Sequence, residues 1–532
     1  MKKMRVLLPM LLMVLCLLSP VDAYSTAAEN PIEAEEGVVY IYTAEQLAAI
    51  YTDSAGKQYV LGADITLPHG WAPKDAGEAA SLSQAFKGSL DGRGHSITGL
   101  KLDVTTGGAH GLFGRLEGAV ISNLVLTDAR IQIGGFEGHE LVAGLLAGEA
   151  VGGAISNVTI VGGNISATGS GLESAVIGGL IGKGDGTRLE NICAAVHIKL
   201  EFGEAVGGLA GYLNNCMVEN SAASVQIQTK AEAAGGIAGV ATDTSFYESG
   251  TEAGAVNGKS AAGGFAGRVQ GTGRILDCYS HADVAGGFAG GFAGQITGSE
   301  LTANANHALE VARCRATGKT HSSQDGIAGG FVGTGRYVLV SDSSAYGEVR
   351  SCAGAGGFVG RLSDSSRVIY AYAKGNVYLG CGVACTEPAS MAGIAGGFVG
   401  ELTNFACVEL SYATGTVVAE GGFDAAVGGF AGYISASGAP NTITHCLSFA
   451  PWVVGDGYVH RFAGHASHDG VNGCYAHLGS MVVNGDSLAH VLPSAFGPDG
   501  ADMSLAQVED VIKRLGWRRD VTCLPLRDGS SD

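Results

Sequence analysis

Apolar residues in this chain fall in short β-branched runs between glycines, as in Gly415-Thr416-Val417-Val418, and no 3.6-residue periodicity joins them. That pattern predicts strands and argues against a solenoid of helices. Two sequence columns recur. The first is a tetrad of Gly, then Leu, Ile or Phe, then any residue, then Gly. It returns from Gly111 to Gly429 at gaps mostly between 27 and 40 residues, with a tandem pair at Gly287 and Gly291 and a degraded last copy, Arg461-Phe462-Ala463-Gly464. The second column lies upstream: an aliphatic residue, two positions, then a small or apolar residue. Examples are Ile121/Leu124, Ile155/Val158, Leu189/Ile192, Leu213/Cys216, Ile275/Cys278, Val311/Cys314, Ile443/Cys446 and Val471/Cys474. Asn or Asp often precedes the second member, as at Asn123, Asn157, Asn191, Asn215, Asp277 and Asp342, and these side chains tolerate the left-handed backbone of a sharp bend.

A period of roughly 20–50 residues marks a solenoid or a propeller. Most gaps are shorter than the ~40 residues of a four-stranded propeller blade, so the prediction is an all-β parallel β-helix. Its corners would use glycine for positive φ and for close approach of neighbouring coils. About fifteen coils at ~4.8 Å each give a rod near 70 Å long. Helical signals occur only at the two ends. Thr43 and Gln46 form one capping-box pattern; Ser504 and Gln507 form another, followed by Leu505, Val508, Ile512 and Leu515 on one face. Short helical caps over the open strand edges are the expectation.

Composition narrows the class. The chain has 532 residues, of which 87 are glycine and 15% are charged, with a net charge of −19. Collagen is excluded by 11 prolines without a three-residue period, and disorder by 46% hydrophobic residues. No basic stripe offers itself to nucleic acid. Lys2, Lys3 and Arg5, the apolar run Val6 to Leu18, and Val21-Asp22-Ala23 read as a cleaved export signal. The expected organisation is a signal peptide at 1–23, an N-terminal cap with the first coils at 24–105, glycine-tetrad repeats at 106–470, and a last coil with its helical cap at 471–532. No later apolar stretch has membrane length.

The tetrads and Ser411-Tyr412-Ala413-Thr414-Gly415 resemble the GLUG-motif family, repeat regions of secreted bacterial adhesin-like proteins and of IgA-cleaving zinc metallopeptidases. Tyr42 to Leu47, Phe86 to Ile97 and Leu515-Gly516-Trp517 are similar to that family's openings and ending. The resemblance implies a right-handed β-helix, exported, used in surface interaction. It transfers no catalytic site, because His139-Glu140-Leu141-Val142-Ala143 lacks the second histidine of a His-Glu-x-x-His zinc motif.

Candidate chemistry is sparse. The cysteines of the second column fit a small buried apolar slot and hence a ladder of free thiols, with inter-coil disulfides as the alternative. Cys381 and Cys385 are spaced for a local disulfide. His460, His465, His468 and Asp469 form a histidine-rich cluster read as surface residues on an irregular coil. Acidic residues are scattered, so no catalytic residue, cofactor or metal is assigned. The position after the second column reads Val125, Thr159, Cys193, Met217, Tyr279, Arg315, Ser344, Tyr372, Tyr412, Leu447 and Tyr475. Strand alternation turns it outward, and Tyr279, Tyr372 and Tyr412 are the candidate partner-binding lane. The expected function is a secreted or cell-surface, adhesin-like, non-catalytic monomer that binds an extracellular glycan, a host protein or a cell-envelope component. The alternative is a polysaccharide lyase or glycoside hydrolase.

Overall fold

One coil shows how the chain is laid out. Four strands follow one another, Ala205–Gly207, Ala210–Asn214, Met217–Glu219 and Ala222–Thr229, and each pairs in parallel with its counterparts in the flanking coils. The computed structural model describes residues 37–51, 54–71, 85–134, 140–168, 174–300, 309–380, 393–420, 425–435, 441–466, 470–485 and 487–504, with Gln507 and Asp510. The second strands of successive coils, from Phe113–Glu117 to Ala463–Ala466, form a sheet of twelve. The third strands stack in register from Val38–Ile41 to Val471–Asn472, fifteen deep among the described residues. Among the described residues the strands pair in parallel, except where Met481–Asn484 turns back on Ser487–Leu488, and Ser494 and Gly500 form an isolated antiparallel bridge. The protein is a parallel β-helix.

The glycine tetrad forms the corner between first and second strands, and its apolar residue points into the core. Phe265, Phe292, Phe331, Phe358, Phe398, Phe430 and Phe462 stack there with centroids 4.6–5.0 Å apart and rings within 11° of parallel. Burying each ring stabilises the fold by about 1.5–3 kcal/mol. The backbone beside them forms a second ladder: Phe265 N–H donates to Phe292 O, Phe292 to Phe331, and onward to Phe462, at 2.7–2.8 Å.

Glycine opens these corners for one of the two expected reasons. None of the tetrads' first glycines has positive φ. A Cβ on Gly208 would lie 2.0 Å from Gly236 O, on Gly357 2.0 Å from Gly397 O, and on Gly397 2.1 Å from Gly429 O. No room exists for a side chain because the next coil's carbonyl already occupies it. Two copies depart from the pattern. The tandem Gly287-Phe288-Ala289-Gly290 belongs to the first strand, Asp283–Gly290, and only Gly291-Phe292 turns the corner. The copy beginning at Gly144 is one residue longer, so that Leu145 stands where Gly179 stands in the next coil.

Left-handed backbone is supplied instead by the Asn and Asp residues of the second column. Asn123, Asn157, Asn191, Asp277 and Asp342 have φ between 49° and 58°. Their side chains form a ladder of their own, Asn191 Nδ2 donating to Asn157 Oδ1, Asn157 Nδ2 to Asn123 Oδ1, both at 3.0 Å, and Asn123 Nδ2 to Asp91 Oδ1 at 2.9 Å.

The residue that follows is the buried slot expected, filled by Leu124, Val158, Ile192 and Ala371 in some coils, and where it is serine or cysteine it also forms hydrogen bonds. Ser221, Ser249, Ser343 and Ser411 each donate Oγ–H to the carbonyl two residues back at 2.7–2.8 Å. The same oxygens accept an N–H from the coil before: Ile192 N–H donates to Ser221 Oγ, Ser221 N–H to Ser249 Oγ, Cys314 N–H to Ser343 Oγ and Ala371 N–H to Ser411 Oγ, at 3.1–3.2 Å. The bend takes those N–H groups out of the strand ladder, and a buried N–H needs an acceptor. Cys314 and Cys474 donate to carbonyls two residues back in the same manner. Leu213/Cys216 does not belong to this column. Met217 pairs with Arg188 and Ser245, so Cys216 lies at the corner between second and third strands, and the true rung of that coil is Ser221.

At the N-terminal end a helix, Ala44–Ala48, opens on the expected capping box, Gln46 N–H donating to Thr43 Oγ1 at 3.2 Å and Thr43 N–H to Gln46 Oε1 at 3.1 Å. Trp71 Nε1 donates to Ala44 O at 3.1 Å and pins it. Nearly all of the expected C-terminal helix, with Leu505, Val508, Ile512, Leu515 and Trp517, lies outside the described residues. The last corner is covered by a segment that follows it in the chain: Phe462 and Ala463 both donate to Pro498 O, at 3.1 and 2.8 Å.

Candidate interaction surface

The outward row after the Ser/Cys column is continuous. It runs Val125, Thr159, Cys193, Ala222, Gly250, Tyr279, Arg315, Ser344, Tyr372, Tyr412, Leu447 and Tyr475. Met217 is outside it for the reason given above. The row is not the uniformly accessible lane that alternation predicts. Tyr412 is only 3% exposed and Leu447 is fully buried. Large side chains in register on adjacent coils cover each other: the rings of Tyr372 and Tyr412 stack 5.1 Å apart at 9°. Tyr279 and Tyr372 are half-buried. Tyr412 therefore supports the surface from beneath and offers a partner almost no area.

Tyr279 is occupied locally. Its phenol donates to the Glu252 carboxylate, and burial, reinforced by that carboxylate, pushes its pKa well up. Its ring lies 5.3 Å from His281, whose Nδ1 is 2.7 Å from Thr317 Oγ1. Burial pushes the His281 imidazole down, opposed by Glu252 and assisted by the charge of Arg315.

Farther along, the structure brings together residues that the lane did not include. Tyr346 and Lys374 stand two residues after Ser344 and Tyr372, so alternation places them on the same face, and that spacing was the available signal. The Tyr346 and Tyr372 hydroxyls are 2.6 Å apart with their rings edge-on at 83°. The Arg315 guanidinium sits 4.5 Å from the Tyr346 centroid. Lys374 Nζ is 5.3 Å from the same centroid and 5.5 Å from that of Tyr372. Each such contact contributes roughly 0.5–1 kcal/mol at an exposed site. Two cations and two phenols thus share one outward patch, and Arg315 is exposed.

The other candidates resolve differently. Cys278, Cys314, Cys446 and Cys474 are buried free thiols. Burial raises Cys278 and Cys446 far above the usual thiol range and pushes Cys474 up to about 12. Cys381, Cys385, His139, His468 and Asp469 lie outside the described residues, as does the expected export signal at 1–23. His460 is 3.4 Å from Asp499, while His465 stacks on Tyr433 at 5.1 Å. Among the described residues no three His, Cys, Asp or Glu side chains converge as metal ligands, and no helix is long and apolar enough to cross a membrane.

These features define a solenoid built on a repeated glycine corner with interlocked polar ladders at its bends. Residues 202–228, which make up one whole coil, match the GLUG motif. Among solved structures, the chain is similar to the crystal structure of a Bacteroides ovatus protein provisionally assigned as an immunoglobulin A1 protease. The identity is 12%, 90% of this chain and 87% of that one are covered, and the TM-score is 0.22. No curated protein matches this chain.

Proposed function

We propose that this protein is exported and serves at the cell surface or outside the cell as a non-catalytic, adhesin-like binder of a glycan or protein partner. The observation that carries the reading is the patch formed by Arg315, Tyr346, Tyr372 and Lys374 on the outward row. Tyrosine and arginine give large, stiff, hydrogen-bonding contact area and are enriched at binding hot spots. Here Arg315 and Tyr372 stand on stacked parallel strands, and Tyr346 and Lys374 come directly after such strands, their N–H groups donating to Ala316 O and Ala345 O. That holds their backbone in place before a partner arrives and lowers the entropy cost of binding. The signal-like start, with Lys2, Lys3 and Arg5 ahead of the apolar run Val6 to Leu18, and the GLUG motif support an extracellular setting.

Binding of the mature protein to glycan and host-protein arrays tests this reading, with the double variant Tyr346→Ser/Tyr372→Ser as the control. Loss of binding with an unchanged strand signal in circular dichroism is the expected result. Unchanged binding by the double variant would move the surface elsewhere. A polysaccharide degradation screen runs alongside: product release that vanishes when a carboxylate pair is replaced would put the lyase or hydrolase alternative in its place.

A further inference from the structure

We infer that a groove on the outer face of the fourth strands binds a neutral N-acetylated sugar, at a site separate from the tyrosine–arginine patch and independent of it. The groove lies over Cys193–Leu200 and Ala222–Thr229, which pair with each other residue for residue. The strands on either side do not keep that register. The strand before them, Ala154–Ala167, carries one extra residue between Ile160 and Gly163. The strand after them, Gly250–Asn257, carries one at Glu252. A bulge bends its strand away from the regular pleat. Two bulges at the same level, one on each side of a regular pair, leave a groove of about 400 Å³ between them, within the range of small-ligand sites, about 300–1,000 Å³. Gly162 and Gly254, with φ of 68° and 119°, line its two sides, so backbone rather than side chains bounds it.

The floor is the row Ala195, Ser224 and Ala253, one residue per coil. Ala195 and Ala253 are exposed, and the Ser224 hydroxyl oxygen between them is buried with no hydrogen-bond partner among the described residues. Alanine serves at this position in both neighbouring coils, so the fold does not call for the hydroxyl, and a buried one without a partner asks for a functional reason. The next outward row is Asn164, His197 and Gln226. Among the described residues no hydrogen bond engages these three side chains, so both carboxamides keep a donor and an acceptor for a ligand. No Asp, Glu, Lys or Arg lines the groove, and an ion would find no counter-charge there. A peptide would find no edge, because both middle strands are paired on each side, and strand addition is closed to it. The floor and rim suit an uncharged ligand with hydroxyls for the carboxamides and a group that joins a methyl to an acceptor oxygen. An acetamide is such a group: its methyl rests against Ala195 or Ala253, and its carbonyl oxygen accepts from Ser224 Oγ.

Calorimetry with two probes tests this: tri-N-acetylchitotriose, and cellotriose, which has the same length and linkage without the acetamides. The groove variants are Ser224→Ala, which installs the residue of the neighbouring coils, and Ala195→Leu, which fills the floor from an exposed position. Tri-N-acetylchitotriose should bind at least tenfold more tightly than cellotriose and weaken at least tenfold in each groove variant. Its binding should be the same in Tyr346→Ser/Tyr372→Ser and should hardly respond to added salt, since no ion pair takes part. The melting temperature of Ser224→Ala should match or exceed that of the wild type. Four outcomes overturn the inference: no binding of tri-N-acetylchitotriose, binding of cellotriose within tenfold, a weakening below tenfold in either groove variant, or loss of binding in the tyrosine variant. If an array partner is lost on Tyr346→Ser/Tyr372→Ser while tri-N-acetylchitotriose does not bind, the patch stands and the groove falls. If the sugar binds as expected while no array partner depends on those tyrosines, the groove stands and the patch falls.

Discussion

Tyr51 Oη donates to the backbone carbonyl of Leu112, 2.5 Å away. Leu112 is the first of the corner residues whose N–H groups donate to the next coil and whose carbonyls accept from the coil before. Among the described residues no coil corner precedes it to donate an N–H to its carbonyl. The phenol takes the place of the missing N–H. At the other end the ladder leaves the N–H groups of Phe462 and Ala463 without a following coil, and Pro498 O accepts both. Arg461 replaces the tetrad glycine there because no later carbonyl fills the space. It is 2% exposed, and its guanidinium binds Asp499 O at 2.9 Å, Gly500 O at 3.0 Å and Asp502 Oδ1 at 2.7 Å.

Tyr51→Phe keeps the ring against Phe113 and removes only the donor. A buried carbonyl left without a partner costs about 1–3 kcal/mol. The expected result is a lower urea midpoint at unchanged slope, with hydrogen-exchange protection lost first around Leu112. Wild-type stability would exclude the capping role.

Arg461→Met should destabilise the C-terminal end by about 3 kcal/mol, because it leaves the Asp502 carboxylate and the carbonyls of Asp499 and Gly500 short of a donor. Burial alone would raise the Asp499 carboxyl, but hydrogen bonds from His460 and from the N–H groups of Leu492 and Arg461 outweigh it and hold the pKa below its usual range. A depressed carboxylate stabilises the fold above its unfolded pKa, ~3.9, and that contribution disappears as pH falls through the lower native value. Urea titrations at pH 7 and in steps below pH 4 should show the slope in the wild type and its loss in Asp499→Asn.

Gly357→Ala and Gly354→Ala form a matched pair three residues apart. The first would put a Cβ 2.0 Å from Gly397 O, the second 3.5 Å from the Ile327 side chain. Thermal melts should show a cost of about 3 kcal/mol for the first, at the upper end of overpacking, and little change for the second. Equal effects would mean that the coil spacing adapts.

Cys278, Cys314, Cys446 and Cys474 should resist alkylation at pH 8 in the folded protein and react at once in denaturant, since all four are buried, the thiolate is the reactive form, and burial raises Cys278, Cys446 and Cys474 well above that pH. Peptide mass spectrometry after iodoacetamide reads this directly. Rapid native labelling of any of the four would show that the ladder opens.

The fold was legible because its signals are local and repeated. A tetrad that returns once per coil, β-branched runs between, and Asn or Asp at the bends each report backbone geometry that sequence alone encodes. Asn123, Asn157 and Asp277 adopt the left-handed conformation for the reason that their chemistry suggests. What escaped is what depends on neighbours. Leu213-x-x-Cys216 and Val218-x-x-Ser221 share one spacing five residues apart, and only pairing across coils tells which is the rung. Serine and cysteine alternate in the column because both donate to the carbonyl two residues back, a role that looks like a small apolar slot from sequence. Tyr412 reads as outward by alternation and is buried because Tyr372 lies on the coil beside it. Arg315 and Lys374 join the tyrosines through a face shared between coils, which no single stretch of chain displays.

Every corner N–H donates in one direction, toward the C-terminus, so the molecule has two chemically distinct ends, one short of a donor and one short of an acceptor. Two uncapped copies would therefore satisfy each other only head to tail, never about a twofold axis, and a head-to-tail contact that does not close grows into a filament. Tyr51 and Pro498 fill the two positions through which such a polymer would grow, in the manner of chain terminators.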